Sequence, residues 1–319
     1  MSRRCALFFT LLLILIAGFA ARGRAQDAPD AAPDPAARSE FSLLSYNVHG
    51  LFRLIAHDDP RDRSPTIGWL ANRYDVVLFQ EDFEYHEVLR RQMAGKTSVR
   101  GNGMGFDPRR VAAKIFLLPL EVLVPHFSPP YGAGISALVR SDWMIAGGVD
   151  REAYAVCHGW FGANGDCWAN KGYLRVRVGE AQAWQVDVYT THLESGPSAK
   201  SVETRRRQLA ILGRAIETES AGRAVIVAGD FNVAFSRPGD RESIMAFRER
   251  ARLLDAGAGP EIAFWRERDF ILYRGGMHVE LSVEAAGEAT EFVNQNRALS
   301  DHPALYARFS VSRNAQPEP

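Results

Sequence analysis

Apolar residues recur along this chain in short runs rich in branched side chains, each stopping at a polar residue, with helical-period stretches between them. The most informative run is Val225–Val233, which reads Val-Ile-Val-Ala-Gly-Asp-Phe-Asn-Val. It predicts a buried strand whose carboxyl end delivers Asp230 and Asn232 into a cleft. A period of two would point both polar side chains one way and Phe231 into the core. A strand followed by an Asp/Asn turn is the plainer alternative. Similar runs at Phe41–Tyr46, Val76–Phe79 and Trp184–Thr191 end in Asn47, Gln80-Glu81 and His192. Further strands are predicted near Lys114–Leu118, Gly134–Arg140, Tyr173–Val178, Arg268–Tyr273, His278–Glu284 and Ala304–Phe309. Helices are predicted over 65–74 (opened by Ser64-Pro65), 83–94, 198–218 and 240–253. Leu209, Leu212 and Ile216 form one apolar stripe of the third helix. No fixed-period repeat interrupts residues 41–309, so this span reads as one layered α/β domain.

The ends change the picture. Arg3 and Arg4 precede an apolar run from Ala6 to Ala20, followed by Gly23-Arg24-Ala25. That is the pattern of a cleavable signal peptide over residues 1–25, since a bilayer span needs ~20 apolar residues. It predicts export to the periplasm or beyond and no transmembrane segment in the mature chain. Residues 26–40 carry three prolines without apolar periodicity and read as a disordered linker, and residues 310–319 as a loose tail. Cleavage removes four of 38 basic residues, leaving 34 against 38 acidic ones, so no basic surplus announces a nucleic-acid partner. It also leaves Cys157 and Cys167, an even pair that in an exported protein predicts a disulfide. Two reduced buried thiols are the alternative.

Asn47, Glu81, His192, Asp230 with Asn232, and Asp301-His302 each lie at or beside the end of an apolar strand. Each has a structural explanation alone: a helix cap, a turn, a satisfied core imidazole. Their recurrence at strand ends points instead to one site at the edge of a layered sheet. Ser45-Tyr46-Asn47-Val48, Leu78-Phe79-Gln80-Glu81, Thr191-His192-Leu193, Gly229-Asp230-Phe231-Asn232 and Ser300-Asp301-His302-Pro303 resemble, in order, the motifs of the endonuclease/exonuclease/phosphatase superfamily. The resemblance implies a four-layer α/β sandwich, with two packed mixed β-sheets flanked by helices, and magnesium-dependent phosphoester cleavage. Manganese or another divalent cation is the variant. Glu81 would be the main metal ligand, with the Asn47 carbonyl oxygen beside it and Asp301 assisting. Asp230 would orient or deprotonate the attacking water, and Asn232 would donate to a phosphoryl oxygen. His192 would stabilise the developing charge or protonate the leaving oxygen. His302 would contact the phosphate or take the proton, oriented by a carboxylate best matched by Asp269 in Asp269-Phe270-Ile271. An ion pair of Asp269 with its arginine neighbours is the alternative.

Asp166-Cys167-Trp168-Ala169-Asn170-Lys171-Gly172 is similar to the Asp-to-Lys segment of sphingomyelinase-type members, which implies that Asp166 and Lys171 reach the substrate. A loop salt bridge is the plainer reading. Only 36 residues separate Asn232 from Asp269, and they are charged, which leaves little room for the apolar membrane hairpin of secreted bacterial sphingomyelinases. Trp160-Phe161 or the Phe127–Tyr131 loop would have to grip a lipid surface. The sequence therefore predicts an exported, monomeric, metal-dependent phosphodiesterase acting on a phosphoester, with a sphingomyelin- or phospholipid-type substrate first. A secreted nuclease and a non-catalytic binding protein compete with it.

Overall fold

A computed structural model describes residues 39–51, 59–103, 112, 132–160, 163–257 and 267–314, all within the compact unit Pro35–Pro319. The expected signal peptide, the strand at Lys114–Leu118, Phe161 and the Phe127–Tyr131 loop lie outside the described residues.

Two six-stranded sheets face each other. The first runs β11 (Val279–Glu288), β14 (Leu305–Arg313), β1 (Ser39–Asn47), β2 (Val76–Gln80), β4 (Ser136–Arg140), β3 (Lys96–Arg100). The second runs β5 (Met144–Ala153), β6 (Gly172–Glu180), β7 (Trp184–His192), β8 (Ala224–Asp230), β10 (Asp269–Arg274), β9 (Leu254–Asp255). Strands β12 (Val293–Asn294) and β13 (Arg297–Ala298) pair as a small hairpin. Both sheets are mixed, because β1–β2 and β7–β8 are parallel while the other pairs are antiparallel.

The alternation of side chains builds the layers. Leu43, Val76, Val186 and Ile226 meet between the sheets. Leu44 and Val77 turn outward to α1 (Pro60–Ala71) and α2 (His86–Arg90). Val225 and Val227 turn outward to α3 (Ala199–Glu219) and α4 (Pro238–Ala251). Strands covered on both faces must be apolar throughout, which is why β8 is a continuous run. The expected Leu209, Leu212 and Ile216 stripe is the buried face of α3. One end of the sandwich is sealed by aromatic rings, Phe41 stacking on Trp184 at 5.4 Å with Trp143 and Phe309 beside them.

Boundaries moved where local chemistry overruled the pattern. Helix α1 starts earlier than 65, because Asp59 caps it by accepting the Arg61 N–H and Pro60 takes the first turn, leaving Pro65 inside. Helix α2 is shorter than 83–94. Strand β1 begins at Ser39 and β14 continues to Arg313, so the ordered domain extends slightly into both expected tails.

Candidate active site

The topology brings the strand ends to one edge. Parallel β1 and β2 finish together, with Asn47 beside Gln80, so Glu81 follows at the same level. Parallel β7 and β8 finish together, with His192 beside Asp230, and antiparallel β10 starts opposite Asp230 with Asp269. Leu305 of β14 pairs with Ser45, so Asp301 and His302 enter from the same edge. Tyr173 of β6 pairs with Thr191, which sets Lys171 next to His192. Gly229 lets the parallel pair close: its φ is +148°, and a Cβ there would lie 2.1 Å from the Thr191 carbonyl oxygen. Glu81, Lys171, His192, Asp230, Asp301 and His302 line a cleft of about 620 Å³, with Asn47 and Asp269 buried beside them.

At its floor, Asn47 Nδ2 donates to Glu81 Oε1 and to Asp230 Oδ2, both at 3.1 Å, and so ties the two sheets together. The Asn47 amide oxygen accepts the His49 N–H at 3.0 Å, so the amide presents its nitrogen to the carboxylates. Asp230 is buried, and its Oδ2 also lies 3.5 Å from His192 Nε2 and 3.7 Å from His302 Nε2. Burial pushes the Asp230 carboxyl up to about 7 despite the opposing His302 charge. Asp269 Oδ2 meets His302 Nδ1 at 2.8 Å, which orients the imidazole. Burial would lower His302, but Asp230 and Asp269 hold the imidazole up to about 10.

Asn232 reaches the site by a different route from the expected one. Strand β8 ends at Asp230, and Asn232 has a left-handed φ of +53°, so a turn and not strand alternation brings it back. Its N–H donates to Asp230 Oδ1 at 2.8 Å and its Nδ2 to the Leu193 carbonyl at 3.0 Å. Phe231 is in the core as expected.

Lys171 and Asp166 form a buried ion pair. Lys171 Nζ also donates to the Leu193 carbonyl at 2.8 Å and sits 3.3 Å from His192 Nε2. Burial and the Lys171 charge hold the His192 imidazole down to about 3, so it is neutral. Asp166 accepts the Ser195 N–H and hydroxyl, and Cys157 and Cys167 are joined as a disulfide across the loop that carries it.

His49, Arg237 and Arg268 also line the cleft and were not singled out from the sequence. His49 Nδ1 lies 3.4 Å from Glu81 Oε2 and 3.3 Å from Asp301 Oδ1. The signal for it was present in the polar turn Asn47-Val48-His49-Gly50 that ends β1. Burial would raise the Glu81 carboxyl, but His49 and Asn47 hold it down to about 2. Its Oε2 is nonetheless buried without a hydrogen-bond partner. An ionised carboxylate grouped within 4.8 Å of ligand atoms of His192 and Asp230 fits a divalent cation.

Comparisons place this geometry among known proteins. Residues 44–302 match the Endonuclease/Exonuclease/phosphatase family. A sphingomyelinase of Mycobacterium bovis is 30% identical over 303 residues, covering 88% of this chain and 55% of the relative, so the chain spans about half that protein's length. Among solved structures, sphingomyelinase C from Streptomyces griseocarneus superposes with a TM-score of 0.56 at 18% identity, over 85% of this chain and 99% of that one. A Staphylococcus aureus beta toxin variant with bound magnesium ions gives a TM-score of 0.57 at 14% identity, over 84% and 99%. Strand-end chemistry, double-sheet fold and sequence match agree, and the chain belongs to the endonuclease/exonuclease/phosphatase family of phosphoester hydrolases.

Proposed function

We propose that this chain is an exported, divalent-cation-dependent phosphodiesterase whose first substrate class is a sphingomyelin-type phospholipid, with magnesium the default ion. The observation that carries this reading is the continuous polar line Lys171–His192–Asp230–His302–Asp269 running beside Glu81 in one cleft. The sphingomyelinase relative and the Asp166–Lys171 pair support the lipid class.

A phosphodiester is anionic and repels a nucleophile, so hydrolysis needs charge neutralisation, an aligned water and a proton for the leaving oxygen. Glu81 and Asp301 would hold the cation, which supplies part of that neutralisation. Asn47 fixes the Glu81 and Asp230 carboxylates. His302, backed by Asp269, presents a cationic Nε2 to the phosphoryl oxygens. Asp230 orients the water and accepts its proton as the water oxygen bonds to phosphorus. The bond from phosphorus to the lipid alcohol breaks, and Lys171, beside the neutral His192, returns a proton to the departing oxygen. Asn232 fixes the Asp230 carboxylate from its other side and adds an amide dipole at the cleft wall.

The test is turnover by purified mature protein, with magnesium, of sphingomyelin, lysophospholipid and plasmid DNA. Release of phosphocholine from sphingomyelin is expected. Plasmid nicking without lipid turnover would replace the lipid assignment with a nuclease, and no turnover of any phosphoester would overturn the enzyme reading.

A further inference from the structure

The far end of the sandwich holds a second cavity, of about 760 Å³ against about 620 Å³ for the cleft. It lies where β7, β8 and β11 begin and β14 ends, so both sheets build it. Strand β8 runs seven residues from Ala224 in this cavity to Asp230 in the cleft, which separates the two by about 20 Å. Arg223, His278 and Arg313 line the cavity, and no carboxylate does among the described residues. Among those residues the cationic donors are largely free. Arg313 spends only its Nε, on the Ala183 carbonyl, and Arg223 comes no closer than 3.8 Å to Asp187. The amides of the lining are already used, Gln185 Nε2 on Ala181 and Asn314 Nδ2 on Gly276 and Met277. Trp184 belongs to the apolar part of the wall. It is buried, and its Nε1–H has no hydrogen-bond partner among the described residues. Buried donors are nearly always paired, so this one calls for an acceptor.

We propose that this cavity is a second, non-catalytic site for a small soluble phosphomonoester with an apolar body. Two guanidinium groups and an imidazole around one space suit a tetrahedral oxyanion, which accepts from several sides at once, and arginine matches phosphate oxygens in pairs. Trp184 and Val279 give the apolar part of the ligand its wall. A lipid surface is the poorer occupant, because docking this end on a bilayer would turn the cleft, at the opposite edge of the sheets, away from it. The site uses no residue of the catalytic cleft and needs no metal.

The test follows the indole N–H of Trp184 by nuclear magnetic resonance in the purified full chain, its signal identified by its loss in Trp184→Phe. Titration with phenyl phosphate, without added metal, is expected to shift that signal saturably. In the double variant Arg223→Gln, Arg313→Gln the affinity is expected to fall on the order of tenfold or more, as charge-assisted hydrogen bonds are lost. Arg313→Gln alone serves if the double variant melts early. His302→Ala alters only the cleft and should bind phenyl phosphate at Trp184 as the parent does. An unmoved Trp184 signal at millimolar phenyl phosphate would overturn the proposal, as would equal affinity in the arginine variants. A shift as large with phenol would overturn it too, by showing an apolar cavity that does not read the anion. A shift with phosphatidylglycerol vesicles but not with phenyl phosphate would replace the soluble ligand with a lipid surface. Phosphoester turnover by a protein whose Trp184 signal does not move would sink this inference and leave the phosphodiesterase reading standing. Binding at Trp184 without turnover would do the reverse.

Discussion

Asp230 is the residue on which the two sheets agree. Its carboxylate takes an amide proton from β1 through Asn47 and a backbone proton from its own turn, and faces imidazoles from both sheets. Asp230→Asn keeps the shape and removes a carboxylate that burial already disfavours, so thermal stability should hold or rise. Turnover should drop by roughly 10²–10⁴, the usual share of a positioned acid or base. His302→Ala should lose a comparable factor, and unfolding of both variants in a melt would mean these groups are structural. Glu194 gives a test of a different kind. It is fully buried, and burial together with the Asp166 charge pushes its carboxyl up to about 8. The unfolded chain releases that proton near pH ~4.3. The folded state therefore holds an extra proton between these values, and its stability falls as pH rises through that window. Glu194→Gln keeps the acceptor for the His158 N–H. Melting temperatures from pH 5 to 9 should show the variant gaining on the parent as pH rises, and parallel curves would refute the buried neutral carboxyl. At this scale the sequence was most legible where a candidate residue sits at the end of a predicted strand, as Glu81, His192 and Asp230 do. His49 was missed because it sits in a turn, where no periodicity marks which polar side chain faces inward.

Elements were legible in proportion to their burial. Strand β8 and helix α3 were plain because each buries a full run or stripe. Strand β3, Lys96–Arg100, was missed because it is a half-exposed edge with one branched apolar residue. Strand β5 was missed because Gly147 and Gly148 and a register shift between Met144 and Val149 break its alternation. Two devices that hold the site were also invisible in sequence, since neither shows a period. Asp82, next to Glu81, accepts from Ser136 at 2.5 Å and meets His86 Nδ1 at 2.5 Å, anchoring α2 and β4 behind Glu81, whose own φ is +52°. Arg205 of α3 is fully buried; it pairs with Asp240 of α4 and donates to the carbonyls of Glu194 and Gly196. Arg205→Met would remove the buried partner of Asp240, leaving it with Arg237, and release the turn after His192. A loss of about 3–5 kcal/mol in urea unfolding is expected, the cost of breaking a buried ion pair from one side. A change under ~1 kcal/mol would show that solvent already screens the pair.

For the whole molecule, the double-sheet architecture followed from the resemblance carried by the strand-end motifs and the Cys157–Cys167 bridge from the even cysteine pair, whereas what that bridge holds did not. The residue after Cys157 is His158, whose N–H holds Glu194, and the residue before Cys167 is Asp166, which holds Ser195 and Lys171. A bridge of this loop length contributes about 3 kcal/mol, mostly by limiting the open chain. With dithiothreitol the strands should persist by circular dichroism while kcat/KM falls on the order of tenfold, or about 1.4 kcal/mol in the barrier. Full activity in the reduced protein would show that the strand ends alone hold Lys171.

The same bridge ties the expected activity to the surroundings of the chain. Where thiols are kept reduced, the strand-end carboxylates and imidazoles would still assemble as the sheets fold, with the clamp on Lys171 slack. The prediction is one fold with two working levels, set by whether its two cysteines can close.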